Sequence, residues 1–270
     1  MSTPADLLSQ KSAWFDERPK EGQIPEESIR LLETYSGIPP EQLMQHITNI
    51  RDEAWKIFPY PCIGQWRFLD LGITDCEEYG EILKRVGGGE KLLDVACCFG
   101  QTVRQLVADG APAQNIYGSD LEGGFIELGY KLFKDRDKLQ SKFFVADIFD
   151  SASSLSDVRG QLDMIYAGSF FHLWGIKQQK EVSKVVANLL RPRPGSMIVG
   201  RQVGAVTAFE RVSATGNMFQ HNVESFQKMW KEIGDELGVT FVVTATLKEL
   251  GKHFFEKGDV RRLWFCVRRQ

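Results

Sequence analysis

Apolar positions fall into two textures along the chain. Up to about residue 85, prolines at 19, 25, 39, 40, 59 and 61 separate helical stretches. Pro25-Glu26-Glu27 opens one of them, with proline in the first position and acids in the first turn, where unpaired N–H groups and the helix dipole favour them. It carries Ile29, Leu31, Leu32 and Tyr35 and stops at Gly37. Pro39-Pro40-Glu41-Gln42 opens a second, in which Leu43, Met44, Ile47, Ile50, Ala54, Trp55 and Phe58 recur at helical spacing until Pro59 and Pro61 end it. No strand is expected before residue 90. Beyond it, short apolar runs at 91–96, 115–119, 142–146, 162–167 and 197–202 alternate with helical stretches at 101–109, 124–135 and 178–190. That alternation predicts an α/β fold of right-handed βαβ units on a mostly parallel sheet. Two β-rich runs at 240–247 and 261–268, with no long helix between them, predict a C-terminal antiparallel hairpin. The expected division is an N-terminal helical segment over 1–85 and an α/β domain over 86–270.

Composition narrows the function classes. Lys and Arg total 33 against 36 Asp and Glu, a net charge of −3, which is poor for a protein that must neutralise phosphates, so no nucleic-acid partner is expected. No apolar run approaches the ~20 residues of a membrane span, and the N-terminus lacks a basic stretch followed by an apolar one, so a cytoplasmic protein is expected. The five cysteines, at 62, 76, 97, 98 and 266, include no C-x-x-C pair; neither a disulfide framework nor a metal site is expected.

The most informative stretch is LLDVACCFGQ over 92–101, an apolar strand running into a turn of small residues and then a helix. Small residues let a ligand approach the backbone and meet the helix N-terminus. The dinucleotide pattern G-x-G-x-x-G places its third glycine at Gln101 and fails. The pattern acid-x-G-x-G-x-G is met by Asp94, Ala96, Cys98 and Gly100, with two glycines replaced by small residues.

On these residues the chain resembles class I S-adenosylmethionine (SAM)-dependent methyltransferases, and in particular the fungal secondary-metabolite group of meroterpenoid and polyketide pathways. The matching stretches are LLDVACCFGQTVRQLVADGAP, IYGSDLEGGFIELGYKLF, FFVADIFD, MIYAGSFFHLW, LLRPRPGSMIVGRQVG and MFQHNVESFQKMW, with YPCIGQWRFL upstream. The resemblance implies a Rossmann-like sheet under an N-terminal helical lid, with SAM as cofactor and S-adenosylhomocysteine as product. It places Asp94 beside the methionine portion of SAM, or as organiser of the turn. Asp120, with Leu121 after it, would take the ribose diol, the alternative being a cap for the helix at Gly123-Gly124. Asp147 would accept from the adenine amino group while the Ile148 N–H faces the ring; the alternative is a solvated loop acid. Gly168 and Ser169 end the fourth strand at the same sheet edge. Tyr60, Trp66 and Arg67 in the entry segment, with Arg201, are candidates for an acceptor pocket or for plain packing.

His172 and His221 are candidate general bases, each with a structural alternative; for His221 it is the cap region of the following helix. Cys97 and Cys98 read as space-fillers. A carboxylate acceptor, with a pKa of ~4, needs no base, whereas a phenol or enol near ~10 does. The absence of an acid–base dyad, and the methyl esters that relatives form on farnesylated aromatic acids, favour O-methylation of a lipophilic carboxylic acid. Enol or phenol O-methylation is the alternative, and a SAM-bound scaffold or cyclase a third reading. Acceptor specificity is expected in the entry segment and in a loop over 205–221. The resemblance is compatible with a homodimer.

Overall fold

The computed structural model describes residues 14–213, 216–250 and 259–270. Two helices, α1 (Glu26–Thr34) and α2 (Pro40–Ile57), follow the two proline starts, and a helical turn, Pro61–Gly64, continues them. A third helix, α3 (Tyr79–Gly87), precedes the sheet and was not expected. The sheet then alternates with helices: β1 (Leu92–Val95), α4 (Gln101–Ala108), β2 (Ile116–Asp120), α5 (Gly123–Phe133), β3 (Lys142–Val145), β4 (Met164–Gly168), α6 (Ile176–Leu189) and β5 (Met197–Ala205). A small hairpin of β6 (Phe209–Ser213) and β7 (Gly216–Gln220) leads into α7 (Val223–Leu237), β8 (Phe241–Lys248) and β9 (Val260–Arg269).

Spatial strand order is β3-β2-β1-β4-β5-β9-β8. The first five strands pair in parallel, and β9 enters antiparallel between β5 and β8. The mostly parallel sheet with a C-terminal antiparallel pair is thus the expected one. Strand order reverses between β1 and β4, and in open α/β sheets ligands bind outside the carboxyl ends of the strands at such a switch. The segment 205–221, expected as a loop, holds the β6–β7 hairpin instead. Tertiary bonds pin it. The Glu210 carboxylate accepts from the Ile176 N–H at 2.9 Å, and the Gln179 amide donates to the Trp174 and Phe219 carbonyls at 2.7 and 2.8 Å.

Three apolar clusters follow from this order. One face of the sheet packs Ile165, Ile198 and Phe265 against α6 and α7; the other packs Leu92, Met164 and Val199 against α3 and α4, with Ile73, Ile82 and Val86. The third joins Leu32, Ile47, Ile50 and Leu71 of the entry segment to Phe99, Phe125, Leu128 and Phe133. The helical layer therefore sits on α5 and on the turn after β1, and from Ile73 onward side chains join the sheet layer.

Arg104 of α4 locks these parts together. Its side chain is wholly buried and binds Asp135 through two nitrogens, at 2.9 and 3.0 Å. A third nitrogen donates to the carbonyls of Phe99 and Gly100 at 2.8 and 3.3 Å. The guanidinium lies 5.0–5.1 Å from the Tyr130, Phe133 and Phe143 rings. From the lid, the Tyr35 hydroxyl donates to Asp135 at 2.9 Å. Breaking such a pair strands a buried charge. Asp135→Ala is expected to lower the unfolding free energy by about 3–5 kcal/mol in a urea titration; a loss below ~1 kcal/mol would mean that the pair is not the lock described.

Candidate active site

The carboxyl ends of β1 to β5 open into a cleft of about 420 Å³, partly roofed by residues between Tyr60 and Asp70. Its floor is the turn after β1. Ala96, Cys98 and Gly100 all have left-handed backbones, with φ of 56°, 51° and 65°. These are the positions where the methyltransferase pattern has glycine, so the turn keeps its shape at a cost of about 1–2 kcal/mol at each non-glycine position. Asp120 holds it from above: one carboxylate oxygen accepts the Cys98 N–H at 2.8 Å and the other the Glu122 N–H at 3.0 Å. Burial pushes the Asp120 carboxyl up, and the N–H groups of Glu122 and Cys98 act against that. Each oxygen retains a second lone pair for a ligand.

Asp94 lies deeper in the cleft wall and is buried; burial pushes its carboxyl up, the Thr102 hydroxyl opposes this, and the Asp120 charge reinforces it. Asp147 and Ile148 follow β3 on the cleft wall, with the exposed Asp147 carboxylate accepting the Phe149 N–H at 2.9 Å. Leu121 forms an exposed lip. Gly168 and Ser169 stand at the end of β4, Ser169 with φ 58° and its N–H on the Arg201 carbonyl at 2.6 Å. Gly100 begins α4 just outside the lining.

Tyr60, Arg67 and Arg201 also line the cleft, Tyr60 near Asp120; burial pushes the Tyr60 phenol up to about 12, and the Asp120 charge adds to it. Arg201 is ion-paired to Asp70 at 2.6 Å and lies under Gly72, where a Cβ would come within 2.0 Å of the guanidinium carbon. Burial opposes the Arg201 charge, but Asp70 outweighs it and the pKa is raised. Arg262 stands behind, pushed down to about 10 by burial and by the Arg201 charge.

Besides Gly100, three expected residues lie outside the cleft lining. Trp66 is buried under the Arg51 guanidinium, 4.3 Å from its ring, and its indole donates to the Asp16 carbonyl at 3.0 Å. It packs the lid rather than the acceptor. His221 is fully buried between Phe219 and Phe226, its Nδ1 paired with the Ser225 hydroxyl at 2.8 Å, at the capping box that starts α7. His172 sits behind the wall formed by its neighbours Phe170, Leu173 and Trp174. Burial pushes its pKa down to about 3, helped by the charges of Arg262, Arg67 and Arg211; burial does the same to His221. Such a histidine is a weak base toward a phenol.

The thiols of Cys97 and Cys98 are pushed up by burial, which removes thiolate reactivity. Sequence reasoning missed Tyr166, Asp70 and two aromatics of the wall, Phe149 and Trp174. Tyr166 carried a signal: one hydroxyl in an otherwise apolar strand, MIYAG, must find a polar destination. Among the described residues no group of three His, Cys, Asp or Glu side chains could hold a metal ion.

A switch-point cleft with a small-residue turn and an acid at the end of each of β1, β2 and β3 defines a class I SAM-dependent methyltransferase. Among solved structures, the 1,6-didemethyltoxoflavin-N1-methyltransferase of Burkholderia thailandensis, crystallised with S-adenosylhomocysteine, shares this fold at a TM-score of 0.55 and 12% identity, over 86% of this chain and 92% of that one. The CurJ carbon methyltransferase does so at 0.53 and 15%, over 99% and 71%. Residues 14–69 match the family model of a meroterpenoid methyltransferase N-terminal domain and residues 92–193 that of a methyltransferase domain. Relatives include the asnovolin E/chermesin D methyltransferase nvfJ of Aspergillus novofumigatus, 44% identical over 80% of this chain and 79% of its own. The O-methyltransferase phiE of a fungal species is 41% identical over 87% and 81%, and the O-methyltransferase atr3 of Stereocaulon alpinum 40% identical over 95% and 75%. The chain belongs to this family of SAM-dependent methyltransferases of fungal secondary metabolism, of the meroterpenoid-pathway type.

Two outcomes follow from the local geometry. Ala96→Gly is expected to raise stability by about 0.5–1 kcal/mol, since relief of the left-handed backbone exceeds glycine's added entropy in the unfolded chain; a loss in a urea titration would contradict it. His172, with a folded pKa of about 3 against ~6.5 unfolded, makes the unfolded chain bind the extra proton, so stability is lost as pH falls from 6.5 toward 3. Wild type should therefore lose about 2 kcal/mol relative to His172→Asn between pH 7 and 5; parallel pH profiles would show His172 to be accessible.

Proposed function

We propose that this methyltransferase esterifies a carboxylic acid on a lipophilic acceptor. The observation that carries this reading is a cleft lining that includes Arg67 and Arg201 and contains no histidine. Arginines hold an anion, and a carboxylate is ionised at neutral pH without a base. A phenol would need one, and His172 is both walled off and poorly basic. Apolar walls of Phe68, Phe170, Leu173 and Trp174 suit a lipophilic body.

The residues present fit SAM. SAM supplies a methyl group on a positively charged sulfur, already activated for in-line displacement. Asp120 would take the ribose hydroxyls on its free lone pairs, and Asp147 and the Ile148 N–H would take the adenine edge. Asp94 would meet the ammonium end, where a cation offsets the desolvation that pushes its carboxyl up. Ala96, Cys98 and Gly100 bring the backbone close, and Leu121, Gly168 and Ser169 complete the wall. Tyr60, Arg67 and Arg201 hold the acceptor against it. What remains for the protein is alignment to within about 3–3.5 Å and exclusion of water.

A farnesylated hydroxybenzoate, which offers both a carboxylate and a phenol, tests this directly with methyl-labelled SAM. Mild alkali is expected to release the label as methanol, since esters saponify and aryl ethers do not. An alkali-stable label would place the methyl on the phenol oxygen, and label that never leaves SAM would favour a scaffold or cyclase.

A further inference from the structure

We propose that Tyr166 binds the acceptor: its phenol O–H donates a hydrogen bond to one oxygen of the acceptor carboxylate, leaving the other oxygen to meet the methyl group. This rests on the carboxylate reading of the cleft.

Tyr166 stands in the middle of β4, in register with Asp94 on β1 and Val199 on β5. Its companions on that face, Met164 and Val199, are buried and apolar, so packing alone would be served by phenylalanine. The ring instead runs along its own strand toward the carboxyl end. A Cβ on Gly168, two residues ahead, would fall 2.7 Å from a ring carbon and 3.0 Å from the phenol oxygen. The glycine clears the path by which the hydroxyl reaches the cleft, and Tyr166 contributes to its lining although it is 4% exposed.

The charges around it define its role. Tyr166 feels the Arg201 guanidinium and the carboxylates of Asp94 and Asp70. Burial pushes the phenol up, and Arg201 pulls against it without prevailing, so the group remains an O–H donor at neutral pH. Arg201 is already committed to Asp70, which leaves it able to attract an anion but poorly placed to orient one. A single neutral donor beside it supplies direction. No proton crosses in the step. The acceptor oxygen forms a bond to the methyl carbon, the carbon–sulfur bond breaks with its electron pair going to sulfur, and the carboxylate and sulfonium charges cancel. Tyr166 thus acts as a hydrogen-bond donor throughout.

The test is a calorimetric titration of the S-adenosylhomocysteine-loaded protein with a farnesylated hydroxybenzoate, in wild type and Tyr166→Phe. Loss of one hydrogen bond to a charged oxygen is expected to weaken acid binding about tenfold, with SAM affinity and melting temperature unchanged. Gly168→Ala, which crowds the ring, should weaken the acid in the same direction. Equal acid affinity in wild type and Tyr166→Phe would overturn the role. So would an equal loss of SAM affinity, which would move Tyr166 to the cofactor. If the acid fails to bind wild type at all, the carboxylate reading itself falls and takes this role with it, an outcome separated from the others because it shows in the wild-type arm.

Discussion

A single buried guanidinium connects the lid, the sheet and the turn that builds the cleft floor. Arg104 satisfies the carbonyls of Phe99 and Gly100 from below while Asp135 neutralises it and Tyr35, just past α1, reaches the same carboxylate. Isolated charge in this interior would be costly, and the bidentate geometry with three aromatic rings around it is what makes the site tolerable. The consequence is mechanical. The strained turn cannot shift without disturbing Arg104, and lifting the helical layer would break the Tyr35 hydrogen bond to the carboxylate that neutralises it.

Asp120 completes the arrangement from the opposite side. Its two oxygens hold the N–H groups of Cys98 and Glu122, fixing the turn and the entrance to α5 around one acid. A left-handed alanine and cysteine are affordable only where the surroundings over-determine them. The same over-determination pre-organises the floor for a ligand, so little ordering remains to be done on binding. On the far side of the cleft Asp70, Gly72 and Trp264 fix Arg201, and the roof and the sheet therefore meet through a second ion pair.

Much of this is legible in the chain because local rules and tertiary needs agree. The apolar runs of β1, β2, β4 and β5 are fully or nearly buried, and the helices between them carry proline, glycine or acid signals at their ends. The turn was legible through Asp94 and Gly100 despite the missing glycines, because only a small residue or a strained one fits those φ values. Legibility fails where a residue's destination is set by distant chain. Trp66 reads as a pocket aromatic or as packing until Arg51 and Asp16 are seen to claim it. His172 and His221 read as bases or as structural residues alike, because nothing local reveals their burial. The β6–β7 hairpin has no clear alternation of its own and is held by Glu210 and Gln179, contacts that no short-range pattern announces.

Asp120 holds the floor through the Cys98 and Glu122 N–H groups, and in the proposed reading the nucleotide end of SAM depends on it as well. Titrating the purified protein with SAM by calorimetry, in wild type and Asp120→Ala, reads that dependence directly. Loss of a charge-assisted contact worth roughly 1.5–3 kcal/mol predicts at least a tenfold weaker affinity in the variant. Equal affinity in the two proteins would mean that the cofactor is held elsewhere and that the cleft has been assigned to the wrong ligand.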